Sequence, residues 1–584
     1  MSKISNLQKY IKQNKIDYFL VNRTDEFLNE YIAPYAERLG WLTGFSGSAG
    51  RLIVSTKSLS LFVDGRYTFQ AKQQVDKKKI IIKHYESYWE NLTKIINSKA
   101  NIAIYAKTHS INEIFKIKKI IKKSKSNIIC LDENPIDILW KNQPTLPNFN
   151  IFDHSIKFAG LNRNKKIKHV QSILRKKKID FYLLTSLDSI AWLLNMRGND
   201  IDHTPLFFSN LLITQKGKLT LFCSVKKIKK NLVYKLIKLC DLKELEKIEY
   251  ILKKLPSNSS VSMDYNNTSY YFHNLFKNCG QKISHLENPC LLTKAIKNLV
   301  EVEGARKANI RDGASLVKLL YWLNNLKNIN QISEIEAAKK IYRLRKNNKL
   351  FVSLSFDRIS EVGENSALPH YRVTKKTDHK LEMDNIYLID SGAQYYDGTT
   401  DITRTIIIGS PSDDKKNYFT RVLKGHIAIA THKFPSGTRG SDIDYLARKS
   451  LNEIGCDYDH GTGHGIGSFL SVHEGPQRIA KKSKVKSCVM YPGMIISNEP
   501  GYYSEKNFGI RIENLIVVSK ISLNKLGFET ISFAPIDRDL INKDLLNKKE
   551  TLWINDYHLQ VYKKLNVYLN KNQKKWLKKV TSPL

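Results

Sequence analysis

Five residues in the last third of the chain have the types and the order needed to hold two metal ions. They are Asp390, Asp401, His464, Glu499 and Glu513. Four carboxylates and one imidazole make an oxygen-rich donor set, which suits manganese or a similar divalent ion better than a thiolate site would. Two metal ions about 3.5–4 Å apart, bridged by carboxylates, can hold a hydroxide and stabilise a tetrahedral transition state. The sequence therefore predicts hydrolytic chemistry.

The two aspartates flank a predicted β-hairpin. Asp390 closes the apolar run 386–389, Asp401 opens the next strand, and Asp397-Gly398 between them favours a hairpin turn. We expect strands at 385–395 and 400–408, in which opposite positions on one face lie about 5 Å apart. Two carboxylates at such positions repel each other unless a cation lies between them.

His464 lies in a run of alternating glycines, 461–467. This run lacks the Lys-Ser/Thr that ends a phosphate-binding loop, so a nucleotide site is excluded. Glycines on both sides instead let the backbone pass close to a packed site and direct an imidazole inward. Two further histidines, His460 and His473, are near in sequence.

Each of the two glutamates belongs to a predicted strand. Glu499 ends a strand at 494–499 and is followed by Pro500-Gly501. Along a second strand, 509–518, alternation places Gly509, Arg511 and Glu513 on one face. Each glutamate alone is weak evidence, but both follow the aspartates and the histidine at the spacing of a single site.

The elements that must position this site begin with a duplication in the first half of the chain. Residues 15–20 read Lys-Ile-Asp-Tyr-Phe-Leu, and residues 178–183 read Lys-Ile-Asp-Phe-Tyr-Leu. Each copy continues through a Trp-Leu pair, at Trp41 or Trp192, into further alternating strands. Strands alternating with helices predict two related α/β domains.

The second half predicts an α+β domain in which helices pack on a curved antiparallel sheet. The predicted helices are 299–323, 333–345, 414–432 and 442–454. A helical tail, 535–584, is a candidate cap or dimer surface. Its predicted apolar face consists of Trp553, Tyr557, Leu559, Leu565 and Trp576.

Composition excludes several other classes of protein. The net charge of the 584 residues is +40, but lysine is spread through every segment and no Arg-rich tract or nucleic-acid motif occurs. We therefore expect no specific nucleic-acid partner, and only adhesion to anions at low salt.

No run approaches a transmembrane helix and the first residues do not form a secretory signal, so no membrane association and a cytoplasmic location are expected. Seven scattered cysteines predict free thiols rather than disulfides or a zinc site.

The metal-binding motifs together resemble the "pita-bread" metallopeptidases, which include methionine aminopeptidase, prolidase and aminopeptidase P. The pattern is Asp-x10-Asp, then a histidine in a Gly-rich turn, then Glu-Pro-Gly, then Arg-Ile-Glu-Asn. Several segments look like the long, three-domain form of aminopeptidase P, and the match covers nearly the whole chain. These segments are 44–50, 64–67, 390–395, 397–405 and 553–558.

The resemblance implies an architecture of two creatinase-like α/β domains followed by a pita-bread catalytic domain. We place the first domain at 1–148, the second at 149–292 and the catalytic domain at 293–535. A C-terminal helical extension covers 536–584. We also expect a homodimer formed through the C-terminal domain.

The same resemblance implies roles for all five candidate ligands. Asp390 would chelate one metal, Asp401 and Glu513 would bridge both, and His464 and Glu499 would complete the other. The expected cofactor is two divalent ions, with Mn²⁺ the preferred choice.

Five further residues match positions of the family's substrate cleft. His370, His460 and His473 would line the cleft and take part in catalysis, with Tyr503 as a cleft tyrosine. Arg511 matches an arginine behind the metal ligands. The acidic residue that binds the substrate's amino group in shorter relatives has no clear counterpart here.

The expected reaction is release of the first residue from peptides that have proline in second position. A hydroxide held by both metals would attack the carbonyl before proline. Glu499 would take the proton and pass it to the proline nitrogen. His473 would stabilise the oxyanion, while His370 and His460 would orient the scissile bond.

Three alternatives remain open at this point. Prolidase, an Xaa-Pro dipeptidase, shares the five ligands but usually has a single N-terminal domain. Methionine aminopeptidase normally lacks both front domains. A metal-free peptide-binding protein on the same scaffold would typically have lost ligands, whereas this chain has all five.

Overall fold

The computed structural model of the chain describes residues 2–96, 99–122, 124–482 and 487–584. The chain forms two units. One comprises Met1–His154 with Leu161–Leu291, and the other comprises Ser155–Gly160 with Leu292–Leu584. None of the described helices combines the length and apolar character needed to traverse a bilayer.

The first half of the chain contains short helices between short strands. The strands are β1 (Tyr18–Asn22), β2 (Arg51–Ser55), β3 (Leu59–Val63), β4 (Ile80–His84), β5 (Asn101–Tyr105), β6 (Asn127–Leu131), β7 (Phe152–Asp153), β8 (Phe181–Leu184), β9 (Met196–Arg197), β10 (Ser209–Thr214), β11 (Leu219–Cys223), β12 (Cys240–Lys243), β13 (Ser260–Met263) and β14 (Lys282–His285). The helices are α1 (Lys3–Gln13), α2 (Arg38–Thr43), α3 (Thr68–Gln74), α4 (Tyr88–Ile95), α5 (Ile111–Ile121), α6 (Pro135–Leu139), α7 (Ile156–Ala159), α8 (Arg163–Lys177), α9 (Leu187–Leu193), α10 (Lys230–Leu236), α11 (Ile248–Lys253) and α12 (Tyr270–Asn278).

The duplication is visible as two six-stranded sheets with equivalent topology. Their orders are β4-β3-β2-β1-β5-β6 and β12-β11-β10-β8-β13-β14. In each sheet the second and third pairings in this order, such as β3-β2 and β2-β1, are antiparallel. The other three pairings, such as β1-β5 and β5-β6, are parallel. The strands form because they are rich in β-branched and aromatic residues, and Phe19, Leu20 and Val21 of β1 are all buried. The predicted pair of related α/β domains is confirmed.

The second half of the chain combines long helices with antiparallel strands. The helices are α13 (Leu291–Ala295), α14 (Leu299–Asn324), α15 (Glu334–Lys346), α16 (Asp413–Ala430), α17 (Asp444–Asn452), α18 (Lys548–Leu565) and α19 (Lys571–Val580). The strands are β15 (Phe351–Leu354), β16 (Ile359–Val362), β17 (Asn385–Ser391), β18 (Ala393–Tyr395), β19 (Gly398–Thr399), β20 (Ile402–Ile408), β21 (Phe434–Pro435), β22 (Gly463–His464), β23 (Arg478–Ile479), β24 (Ile495–Asn498), β25 (Gly501–Ser504), β26 (Phe508–Arg511), β27 (Asn514–Ser522) and β28 (Lys525–Thr530).

Three small sheets carry the strands around the candidate site. Their orders are β15-β18-β19, β16-β17-β20 and β21-β28-β27-β24, and the pairs β22-β23 and β25-β26 stand beside them. Helix α14 begins at a capping box, in which Asn298 and Glu301 satisfy each other's backbone N–H groups. Its residues Leu316 and Leu319 share a buried core with Tyr387 of β17. The predicted α+β arrangement is confirmed.

The C-terminal tail differs from the predicted continuous helix. Helices begin only at Lys548, and 535–547 is mostly irregular. Tyr557 and Leu565 are buried in the core, as predicted, but Leu559 is 48% exposed. The predicted apolar face is therefore wrong at Leu559, which lies on the solvent side of α18.

Candidate metal centre and substrate cleft

Asp390 lies in β17 and Asp401 immediately precedes the neighbouring strand β20, so the two are not directly opposite each other. The register of β17 and β20 places Thr403, not Asp401, across from Asp390. The predicted continuous strands are wrong here, since β17 ends at Ser391 and β20 begins at Ile402. The physical reason is a close crossing at Gly392, where a Cβ would lie 1.9 Å from the Thr400 carbonyl oxygen. The chain bends at this crossing and Asp401 precedes its strand.

Glu513 also lies outside the strand in which it was predicted. Strand β26 ends at Arg511 and β27 begins at Asn514, so the expected alternation along 509–518 is interrupted. The N–H of Glu513 donates instead to the Thr403 carbonyl at 3.2 Å. This bond holds Glu513 against β20, close to the start of that strand, which Asp401 precedes.

Three of the four carboxylates among the candidate metal ligands have an oxygen without a hydrogen-bond partner in the described part of the chain. These buried atoms are Asp390 Oδ1, Asp401 Oδ1 and Glu513 Oε1. The second oxygen of Glu513 accepts from Thr403 Oγ1 at 2.8 Å, and Asp390 Oδ2 accepts from Arg511 Nη2 at 2.7 Å. A buried anionic oxygen without a donor is costly, and here there are three among the five candidate ligands.

Burial and mutual repulsion raise the pKa values of these acids. Burial, followed by the charges of Glu513 and Asp390, raises the pKa of Asp401 well above its ordinary value. Burial, followed by Glu499 and Asp390, does the same for the pKa of Glu513. Burial also raises the pKa of Glu499 to about 7, with Arg511 opposing the shift. In the absence of a cation, the group therefore retains protons near neutrality.

His464 directs one ring nitrogen towards these acids. Its Nδ1 lies 3.0 Å from the Gly465 carbonyl oxygen, which can only accept, so Nδ1 carries the proton. Nε2 then presents its lone pair, 3.6 Å from Asp401 Oδ2 and 3.4 Å from Glu499 Oε1. A Cβ on Gly463 would lie 1.9 Å from the Ser497 carbonyl oxygen, so glycine is required there.

The donor set fits divalent metal ions. One ligand atom from each of Asp401, His464 and Glu513 lies within 4.8 Å of the others. The unpartnered carboxylate oxygens and a neutral imidazole nitrogen are ligands that hard or borderline divalent ions prefer. A cation would also relieve the repulsion that raises the pKa values of the acids.

A hydrogen-bonded chain leads from the group into the predicted cleft. Arg511 Nη1 donates to Tyr503 Oη at 2.8 Å, and Tyr503 Oη lies 2.9 Å from His460 Nε2. On the other side, the His473 ring centroid is 4.4 Å from that of His464. The structure therefore brings His460, His473, Tyr503 and Arg511 to the same region as the candidate ligands.

His370 lies half-buried on a loop that follows β16. Glu334 at the start of α15 fastens this loop, accepting from the Val362 N–H at 2.7 Å and from Asn365 Nδ2 at 3.0 Å. The Tyr371 hydroxyl donates to the Thr377 carbonyl at 2.6 Å. The assignment of His370 to the substrate cleft stays a prediction.

Two buried glutamates near the site were missed by sequence reasoning. Glu361 is fully buried in β16, opposite Leu388, and so shares a sheet face with Asp390. Burial raises the pKa of Glu361 well above its ordinary value, and Arg511 opposes the shift. Glu334 is the other. The sequence gives little indication of either residue, because each is a single glutamate outside any recognisable motif.

Family comparisons cover most of the chain. Residues 303–520 match metallopeptidase family M24, and residues 524–584 match the C-terminal region of peptidase M24. Residues 3–132 and 142–301 each match the creatinase/prolidase N-terminal domain.

Individual relatives match over the full length. The chain is 36% identical over 615 aligned residues to a probable Xaa-Pro aminopeptidase P of Paracoccidioides lutzii, covering 100% of this chain and 99% of the relative. The solved X-prolyl aminopeptidase of Caenorhabditis elegans, described as a cytosolic enzyme with a dinuclear active site, superposes with a TM-score of 0.95 at 29% identity, covering 100% and 99% of the two chains. An Xaa-Pro dipeptidase of Bacillus anthracis gives a TM-score of 0.53 at 25% identity, covering 64% of this chain and 99% of that one.

Proposed function

This chain belongs to metallopeptidase family M24 and to its Xaa-Pro aminopeptidase P members, and from that premise we propose that it removes the N-terminal residue from peptides with proline in second position. Full-length similarity to aminopeptidase P relatives supports this function over the alternatives. The observation that carries the proposal is the convergence of half-buried His464 with buried Asp401 and Glu513, with Asp390 and Glu499 beside them.

We assign the metal centre to the five predicted residues. Asp390, Asp401, His464, Glu499 and Glu513 would hold two divalent ions. The dinuclear site described for the Caenorhabditis elegans relative supports the number of ions. The preponderance of carboxylate oxygens favours Mn²⁺. Bound there, the ions would lower the pKa of a water molecule and polarise the scissile carbonyl.

Protein groups would carry the proton through the reaction. Hydrolysis places a hydroxyl on the carbonyl carbon and moves one proton to the proline nitrogen as the C–N bond breaks. Glu499, whose Oε1 accepts from Ser497 Oγ at 3.0 Å, would take that proton and return it.

The histidines would position the substrate and select for proline. The amide before proline is tertiary and has no N–H, so recognition must act on the carbonyl and the ring. His473, whose ring contacts that of His464, would donate to the carbonyl oxygen as it gains charge, and one such donor is worth about 3–4 kcal/mol. His460, held by Tyr503, and His370 would orient the scissile bond and the proline ring.

Several broader predictions are retained as part of this proposal. The cytosolic relative supports a cytoplasmic location, and proline-containing peptides are the expected partners. The four-part domain division at 148, 292 and 535 and the homodimer remain proposals. A homodimer would show twice the chain mass of 67.4 kDa by light scattering.

The deciding experiment compares peptides after removal and return of metal. An X–Pro–Pro tripeptide, an X–Pro dipeptide and a Met–Ala–Ser peptide would be assayed with the chelated protein and again after addition of Mn²⁺. We expect Mn²⁺-dependent cleavage of the tripeptide. Preferential turnover of the dipeptide would favour prolidase, turnover of Met–Ala–Ser would favour methionine aminopeptidase, and neither turnover nor metal binding would favour a peptide-binding protein.

Prolidase is disfavoured by the extent of the structural match. The solved Xaa-Pro dipeptidase accounts for 64% of this chain, whereas the C. elegans relative accounts for all of it.

A further inference from the structure

A cluster of buried charges lies next to the Gly-rich segment that carries His464. Lys294 Nζ is 2.8 Å from Glu474 Oε2, and Lys297 donates to Glu474 Oε1. The three side chains are no more than 1% exposed. Burying charges costs several kcal/mol per ion, which hydrophobic residues of similar size would avoid. Stability alone therefore does not account for two lysines on one carboxylate.

The lysines attach Glu474 to a different part of the chain. Lys294 belongs to α13, and Lys297 lies just before α14. The N–H of Lys297 donates to the Gly493 carbonyl at 3.1 Å, which fixes its backbone. Glu474 is thus held from the start of the catalytic half of the chain, far in sequence from its own loop.

The backbone of Glu474 connects this cluster to His464. The Glu474 N–H donates to the Gly465 carbonyl at 2.8 Å. The same carbonyl oxygen accepts from His464 Nδ1 at 3.0 Å. One oxygen atom therefore joins the position of Glu474 to the orientation of the imidazole whose Nε2 faces Asp401 and Glu499.

Packing leaves little freedom between these groups. A Cβ on Gly465 would lie 2.1 Å from the Glu474 carbonyl oxygen, and one on Gly467 would lie 3.1 Å from Glu474 Oε2. The residue before Glu474 is His473, whose ring contacts that of His464. A shift of Glu474 must therefore move both histidines.

We propose that Lys294, Lys297 and Glu474 form a positioning cluster that aims His464 at the metal centre and so sets its affinity for divalent ions. The inference rests on the proposed role of His464 as a metal ligand. Partners that orient a ligating histidine are commonly worth about 10–100-fold in metal affinity or activity. In this proposal the cluster acts on His464 through the Gly465 carbonyl, which accepts from both Glu474 and His464.

The test measures Mn²⁺ binding directly, by calorimetric titration of the chelated full-length protein. Lys297→Met and Lys294→Met each leave one lysine paired with Glu474, an ion pair without net charge, so the fold should survive. We expect the Mn²⁺ dissociation constant to rise about 10–100-fold in both, with a changed visible spectrum of the Co²⁺-loaded protein. Lys297→Arg, which keeps the positive charge, should retain most of the wild-type affinity for Mn²⁺.

Two further variants separate positioning from stability. Lys166→Met removes a lysine that is 2% exposed and donates to Asn195 in the other unit; it should lower the unfolding temperature without changing Mn²⁺ affinity. Glu474→Asp keeps the carboxylate charge but withdraws it from the two lysines by one methylene, and it should weaken Mn²⁺ binding even if a methionine variant fails to fold.

The outcomes distinguish this inference from the function on which it rests. If the wild-type protein binds no Mn²⁺, the proposed function fails. If wild type binds Mn²⁺ and the cluster variants that fold, Glu474→Asp included, all stay within twofold of its affinity, only the positioning role is overturned.

Discussion

At the scale of residues, the site depends on groups that satisfy several partners at once. Arg511 is one of them. It donates to Asp390 and Tyr503, and its Nε lies 3.3 Å from Thr403 Oγ1. The planar guanidinium can reach these three directions together, whereas a lysine ammonium cannot reproduce that geometry. Arg511 thereby links a candidate metal ligand to the tyrosine that holds His460.

We expect Arg511→Lys to lower kcat/KM for an X–Pro–Pro peptide about 10–100-fold. The charge is kept, so the loss would come from geometry. Tyr503→Phe, which removes only the hydroxyl, serves as the matched comparison and should cost less. Arg511→Lys activity within twofold of wild type would show that the three-way geometry of the guanidinium is not needed.

The candidate ligands themselves can be tested as a matched pair of aspartates. Asp401→Asn should lower turnover more than about 100-fold, because even residues behind a ligand are worth about 10–100-fold. Asp397→Asn makes the same chemical change in the turn, where Asp397 pairs with Arg311 rather than with the metal group. Turnover of Asp401→Asn above about a tenth of wild type, or an equal loss in Asp397→Asn, would contradict the assignment.

The raised pKa of Glu499 gives the metal-free protein a defined dependence of stability on pH. The folded pKa is about 7, against an ordinary value of 4.5. Between these values the folded protein binds more protons than the unfolded chain, so the free energy of unfolding falls as the pH rises. Mn²⁺ would replace the protons and remove this penalty.

Thermal unfolding of the chelated protein should therefore show a lower midpoint at pH 8 than at pH 5. Added Mn²⁺ should raise the midpoint by a few degrees more at pH 8 than at pH 5, since binding to the folded state stabilises it. In Glu499→Gln the decline between the two pH values should shrink. A metal-free protein that becomes more stable from pH 5 to pH 8 would falsify this account.

At the scale of elements, the short strand β22 fixes His464 through a close backbone crossing. Gly463→Ala would place a methyl group 1.9 Å from the Ser497 carbonyl oxygen. Backbone atoms cannot yield as a flexible side chain would, so we expect a loss of about 1–3 kcal/mol in stability. Turnover should fall more than tenfold, since His464 would move with its strand.

Gly461→Ala is the matched control for this element. It lies two residues earlier in the same run, and its added methyl would meet its nearest atom, the Ile479 carbonyl oxygen, at 3.4 Å. Urea unfolding and peptide turnover of both variants would be compared. Equal effects of the two substitutions would show that the crossing at Gly463 is not the determining contact.

At the scale of the whole molecule, the C-terminal extension is joined to the catalytic core through a buried arginine. Arg404 in β20 donates to the Tyr557 hydroxyl of α18 at 2.7 Å. It also donates to the Glu513 carbonyl at 2.7 Å, and 1% of the arginine is exposed. Helix α18 therefore stabilises the backbone from which Glu513 projects.

Tyr557→Phe should lower the free energy of unfolding by about 1–3 kcal/mol, because it leaves a buried charged donor without one of its acceptors. Tyr568→Phe removes a hydroxyl from a residue that is 47% exposed and should have little effect. Chemical denaturation of the two variants would give the difference. Equal stability would show that Arg404 is satisfied by its carbonyl partners alone.

The family and the duplicated α/β domains could be predicted from residue types and their order, and the same patterns proposed the residues of the metal centre. Residue type and order suffice for these, because the chemistry of a dinuclear site restricts its ligands, and because hydrophobic periodicity is a local property of the chain. Segments such as 15–20 and 178–183 and the motif around Asp390 carry that information directly.

How these residues are arranged in space could not be predicted from local patterns. Thr403 rather than Asp401 faces Asp390, Glu513 stands in a break between two strands, and Leu559 faces solvent. The buried acids Glu361 and Glu334 and the lysines on Glu474 also became evident only in three dimensions. Register shifts, strand breaks and buried ion pairs depend on contacts between residues far apart in sequence, which no local pattern records.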